Sequence, residues 1–292
     1  MKTSKIEFNP NGVIPDNGNY FGMPVEADDA ALVLISAPWD ATTARRNGSS
    51  YAPDAIIEAS HKIDFYEPSA PYSWRKGIAT LPIDYSIQDL SHRLRSDAQR
   101  VVKVYEEMGL EGLDNIIYSR RLRHVNEGSL AVNENIYRQS QEWLSRGKIV
   151  GLVGGDQSSA FGLMRAVSEK YDGVGILHID SKSDLKEAYQ GFEHSHASVM
   201  HNVLRDLVGV SRVVAVGVRE FSPAEWERAE SDERIKFFTG QYIWSSHFEG
   251  KIWSKICEEI VAELPERVYV SLDIDGLTIE CAPHNSTLIP GG

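Results

Sequence analysis

Short apolar runs alternate with longer amphipathic stretches through the second half of the chain. The runs are Lys148-Ile149-Val150-Gly151-Leu152-Val153, Val174-Gly175-Ile176-Leu177-His178-Ile179, Val213-Val214-Ala215-Val216-Gly217-Val218, Ile235-Lys236-Phe237-Phe238 and Val268-Tyr269-Val270-Ser271-Leu272. Continuous apolar runs of this length predict strands buried on both faces. Helical periodicity fills the intervals, up to about Lys170, from about His196 to Leu207, around Pro223–Glu230 and from Ile252 to Leu264.

The first half is less regular. Residues 1–30 read as an irregular arm broken by Pro10, Gly12, Pro15, Gly18 and Gly22. Ala31–Ser36 predicts a further buried strand, followed by Pro38-Trp39-Asp40 and a polar loop from Thr42 to Ser50. Pro53 suits the first turn of a helix. Helical periodicity returns at about 91–109 and 130–146. The basic run Tyr118–His124 between them reads as a solvated helix face or loop rather than an anion patch.

Strands alternating with helices imply right-handed crossovers and a parallel sheet. The expected class is α/β, a three-layer αβα arrangement around a mostly parallel, doubly wound sheet. No repeat, low-complexity tract or linker interrupts residues 1–292, which read as a single domain. In such sheets ligands bind beyond the carboxyl ends of the strands.

Composition narrows the partners. The net charge is −12, from 30 basic and 42 acidic residues, which disfavours nucleic acid or an anionic membrane surface. No apolar run approaches the roughly 20 residues of a membrane span. The two cysteines, Cys257 and Cys281, are too few for a disulfide framework. Met1–Asn19 lacks the basic-then-apolar order of a signal peptide, so the expected location is cytoplasmic.

Three strand ends carry the candidate chemistry: Gly154-Gly155-Asp156-Gln157-Ser158, Asp180-Ser181-Lys182-Ser183-Asp184 and Ser271-Leu272-Asp273-Ile274-Asp275. In an extended segment residues two apart share a side, so Asp273 and Asp275 are expected to face one point. Asp180, Asp184, Asp273 and Asp275 brought together would repel unless a cation neutralised them. A pair of Mg²⁺ or Mn²⁺ ions would do so and could activate water between them.

In order and context these segments resemble the three signatures of the ureohydrolase superfamily, the arginases, agmatinases and formimidoylglutamases. Those signatures are Gly-Gly-Asp-His followed by Ser, Asp-Ala-His-x-Asp, and Asp-x-Asp-x-x-Asp-Pro. The resemblance runs from about residue 30 and is nearest to bacterial agmatinase-type members, including Pro38-Trp39-Asp40, Ser195-His196-Ala197 and the Pro-Gly-Gly at 290–292. It implies a mostly parallel eight-stranded sheet, a two-manganese site and hydrolysis of a guanidino C–N bond with release of urea. Carried over, Asp180, Asp184, Asp273 and Asp275 are metal ligands, His196 relays a proton and Asp184 shares the catalytic role. His194 and Ser195 are expected to contact a small guanidino or amidino substrate, and a homo-oligomer is expected.

The chain departs from the family at both metal positions. Gln157 stands where the first signature has a ligating histidine, and its amide oxygen is a weak substitute. Lys182 stands in place of the second signature's histidine, and an ammonium has no lone pair for a metal. Lys182 is therefore expected to occupy the place of the second ion, paired with Asp180 or Asp275. Thr278 and Ile279 replace the Asp-Pro of the third signature, Ser181 replaces an alanine, and Ser286 stands where close relatives have glycine. In the family a further helix and strand follow the Pro-Gly-Gly, so part of the C-terminal fold is expected to be missing.

Three functions compete. The first is a metal-deficient homologue with weak or no hydrolysis. The second is an active amidinohydrolase with one manganese on Gln157, Asp180, Asp184 and Asp273. In the third Lys182 acts as a base or nucleophile, which its acidic neighbours oppose by raising its pKa.

Overall fold

The structure, a computed structural model, describes residues 8–43, 47–285 and 289–292. Ser286, singled out above, lies outside the described residues, as do the first seven residues of the N-terminal arm. The chain divides into two compact units, Met1–Ala166 and Val167–Gly292.

The first unit holds a parallel sheet of β1 (Leu32–Ala37), β2 (Ile78–Thr80) and β3 (Ile149–Gly154) in the order β2-β1-β3. β1 pairs in register with β3 from Leu32↔Ile149 to Ala37↔Gly154, and all but its first residue is buried. The helices are α1 (Ala52–Ser60), α2 (Tyr85–Met108) and α3 (Ile116–Ser145). Asp84 caps α2 by accepting from Ser86 N, and Asn115 caps α3 by accepting from Ile117 N. The two helices lie against each other and bury Leu94, Val101, Val125, Val132 and Ile136.

The basic run falls inside α3, which begins well before the apolar periodicity becomes strong. Arg121 pairs with Asp97 of α2, and His124 Nδ1 lies 3.2 Å from the same carboxylate. The run is a helix face tied to its neighbour, as the sequence suggests. The helix at 130–146 reads too short because the exposed Ile116 and Ile117 break the apolar stripe at the start of α3.

α4 (Phe161–Lys170) spans the boundary between the units. The second unit holds β4 (Val174–Ile179), β5 (Val210–Val216), β6 (Ile235–Phe238) and β7 (Val268–Leu272), all parallel in the order β6-β5-β4-β7. Its helices are α5 (Val199–Asp206), α6 (Pro223–Ser231), α7 (Gly240–Phe248) and α8 (Trp253–Ala262). Val214, Val216, Phe238, Ile256 and Ile260 form one buried cluster of this unit.

The α/β class with parallel sheets and flanking helices is as expected. The resemblance implies eight strands in one sheet, whereas the described residues form seven strands in two sheets. Cys257 and Cys281 are free thiols. Among the described residues no helix is long and apolar enough to cross a membrane.

Candidate metal centre

In the first unit β3 ends on the Gly154-Gly155-Asp156 segment, which is held to β1 and the residues after it. Gly155 N donates to Ala37 O at 2.9 Å and Asp156 N to Trp39 O at 2.8 Å. A Cβ on Gly155 would lie 1.7 Å from Trp39 O, so only glycine fits this approach. Asp156 accepts from Ser158 N at 3.0 Å and caps the turn Gln157–Ala160. Burial pushes its carboxyl up to about 7. Gln157 opens that turn and is half-buried.

In the second unit the loop after β4 is fixed from several sides. Asp180 Oδ1 accepts from Lys182 N at 2.7 Å. Ser181 O accepts from Arg219 N and Glu220 N at 2.7 and 3.0 Å, tying this loop to the one after β5. Asp184 has the left-handed φ of 53°, and its carbonyl accepts from Met200 N and His201 N in the first turn of α5. Glu225, in the capping box of α6, accepts from Ser183 Oγ at 2.6 Å and Lys186 Nζ at 2.7 Å.

The third segment meets this loop across β4 and β7. Asp273 N donates to Ile179 O at 2.9 Å. Asp273 Oδ1 accepts from Asp275 N at 2.9 Å and caps a 3-10 turn, Ile274–Gly276. The two aspartates are thus brought together by a turn, not by the extended backbone expected from their spacing. A Cβ on Gly276 would lie 3.0 Å from Asp180 N, so any larger residue there would push the turn and the end of β4 apart by a few tenths of an ångström.

The result is two overlapping groups of ligand-type atoms. Carboxylate oxygens of Asp180, Asp273 and Asp275 lie within 4.8 Å of one another, and so do atoms of His178, Asp180 and Asp184. Burial, and then the neighbouring carboxylates, hold Asp180 well above the usual range. Burial does the same for Asp184 and raises Asp273 as well. Asp275 goes the other way, because the Lys182 ammonium outweighs its burial. Lys182 Nζ pairs with Asp275 Oδ2, and Ser181 N donates to Asp275 Oδ1 at 3.1 Å. Burial pulls the Lys182 pKa down but Asp275 raises it more, which keeps the amine charged and opposes a nucleophilic role.

The two groups differ in their fit to a divalent cation. In the group that includes His178, Asp180 and Asp184 supply hard oxygen donors that no cation among the described residues contacts directly. Beside them His178 is fully buried, and its Nε2 faces Asp180 and Asp184 from beyond hydrogen-bonding distance, at 3.6 and 3.7 Å. Burial drives its pKa down to about 4, so the ring is neutral. At Asp275 the positive charge is already supplied by Lys182, and an ammonium cannot ligate.

Sequence reasoning expected Lys182 to pair with Asp180 or Asp275, and the structure pairs it with Asp275. That reasoning missed Glu225 and Arg219, whose guanidinium donates to the Asp275 and Gly276 carbonyls at 2.7 and 3.2 Å. Nothing in their own neighbourhoods marks these residues. His194, Ser195 and His196 precede α5, where Ser195 Oγ lies 2.8 Å from Ser198 Oγ and Tyr189 meets the His196 ring edge-on. Lys186 N donates to Ala197 O at 3.1 Å, which joins this element to the Asp184 loop. Gln157 belongs to the first unit and the four aspartates to the second.

A family model described as "Arginase family" matches residues 30–292. The N(1)-aminopropylagmatine ureohydrolase of Thermus thermophilus is 26% identical over 265 residues, covering 91% of this chain and 74% of that protein. The agmatinase of Bacillus subtilis is 26% identical over 275 residues, with 91% and 75% covered. Among solved structures, the proclavaminate amidino hydrolase of Streptomyces clavuligerus superposes with a TM-score of 0.66 at 18% identity, over 97% of this chain and 81% of that one.

Proposed function

The chain belongs to the arginase family, and from that premise we propose that its amidinohydrolase site has exchanged the second metal ion for the Lys182 ammonium. The observation that carries this reading is the ion pair between Lys182 and Asp275. One positive charge then stands where a dication would bring two, and hydrolysis of linear amidines is weak or absent.

At the remaining position Asp180, Asp184 and Asp273 would hold a single manganese ion. When bound, such an ion supplies Lewis acidity toward a water. The chain's own residues account for the rest. His196 would move a proton at its imidazole, and Asp184, fixed by the first turn of α5, would orient the site. His194 and Ser195 would contact the guanidino or amidino group. A guanidinium beside the Lys182 ammonium meets a repulsion on the order of 1–4 kcal/mol at a few ångströms. The same family reading makes the protein a cytoplasmic homo-oligomer.

A one-ion amidinohydrolase is the second reading, favoured by the grouping of His178, Asp180 and Asp184. Urea release from agmatine, arginine and formiminoglutamate, measured with added manganese, separates the two. The main reading expects little or no release. Manganese-dependent turnover at one ion per chain would select the second.

A further inference from the structure

We propose that His178 is the nitrogen donor of a single-ion site completed by Asp180 and Asp184, selective for a first-row divalent transition ion. The inference rests on the proposed loss of the second position only in taking the site to hold one ion.

His178 and Asp180 are two residues apart on β4, the strand flanked by β5 and β7, and so point to the same side of the sheet. Asp184 reaches the same side because its left-handed backbone turns the loop back over the strand end. His178 Nε2 then lies 3.6 Å from Asp180 Oδ2 and 3.7 Å from Asp184 Oδ2. A protonated ring would be expected to close on one carboxylate at about 2.8 Å. It remains instead nearly equidistant from two, at a separation close to that of two donors sharing one ion at about 2.1 Å each.

The His178 side chain is 0% exposed, and Asp180 and Asp184 are 2% and 3% exposed. Nε2 faces the two carboxylates from beyond hydrogen-bonding distance, which leaves a buried polar atom unsatisfied. A coordinated ion would use Nε2 and offset the repulsion between the two carboxylates. One imidazole with two carboxylates is a donor set that suits manganese, iron, cobalt or zinc better than magnesium or calcium, which prefer oxygen alone.

The test is pulsed EPR and equilibrium binding of Mn²⁺ to the full chain, with ¹⁵N-histidine labelling. The expected result is one ion per chain with a directly bound imidazole nitrogen, whose coupling changes on labelling. That coupling should vanish in His178→Ala, with affinity falling at least tenfold, and should persist in His196→Ala. Circular dichroism checks that each variant folds, and the labelling result on the unaltered chain needs no variant. One bound ion with no nitrogen coupling, or a coupling that survives His178→Ala, overturns the proposal and leaves the Lys182 reading standing. Two ions per chain overturn the Lys182 reading, and the same spectra then report separately on His178.

Discussion

The Lys182 ammonium is ion-paired with the Asp275 carboxylate, joining the loop after β4 to the turn after β7. The lysine side chain is 22% exposed and the aspartate 6%, so the pair is largely shielded from water. Water screens it little, and removing one partner strands the other.

Lys182→Met should therefore destabilise the metal-free protein at pH 7 by about 2–4 kcal/mol, read from urea unfolding. A change below about 0.5 kcal/mol would mean that the pair is worth no more than an exposed one.

Glu225→Ala should loosen the 183–186 stretch without touching an aspartate. The carboxylate accepts from Ser183, Lys186 and Ser222, and is only 4% exposed. A loss of about 2–4 kcal/mol is expected, since Lys186 would be left without its partner. Amide exchange should accelerate in residues 181–187 and stay unchanged in β1. Uniform exchange in both regions would contradict the clamp.

Asp156 gives a pH signature. Its folded carboxyl titrates near 7, above the unfolded value of about 4. Between those values the folded state binds a proton that the unfolded chain has released. This contribution to stability is fully present below about pH 4 and is lost as pH rises through 7, by about 4 kcal/mol at most. Asp156→Asn should remove that fall, so the variant gains on the parent between pH 5.5 and pH 8 in denaturant titrations. Parallel curves for the two proteins would contradict the assignment.

Restoring both nitrogen ligands should restore the second position. Gln157→His with Lys182→His is expected to raise manganese content toward two ions per chain, measured by elemental analysis. If the double variant binds no more than the parent, residues other than 157 and 182 limit the site.

Much of this was legible in sequence, and the gaps have physical causes. β4 and β7 were read from continuous apolar runs whose ends coincide with the strands. β2 was missed because three residues, Ile78–Thr80, are too few to show a period. α7 was missed because Gly240-Gln241-Tyr242-Ile243-Trp244 carries no clear apolar stripe, and its start depends on the Thr239 cap. A pairing of Lys182 with Asp180 or Asp275 was foreseeable because Lys182 takes the place of a metal-binding histidine in the signature that the segment resembles. The approach of Asp184 to His178 was not foreseeable, because the left-handed backbone of Asp184 leaves no mark in the spacing.

The most direct test is the manganese stoichiometry of the unaltered protein, purified from cells grown with manganese and assayed alongside for urea release. The account predicts no more than one ion per chain and little or no urea from agmatine, arginine or formiminoglutamate. Two ions per chain with sustained turnover would contradict the claim that Lys182 has taken the second ion's place.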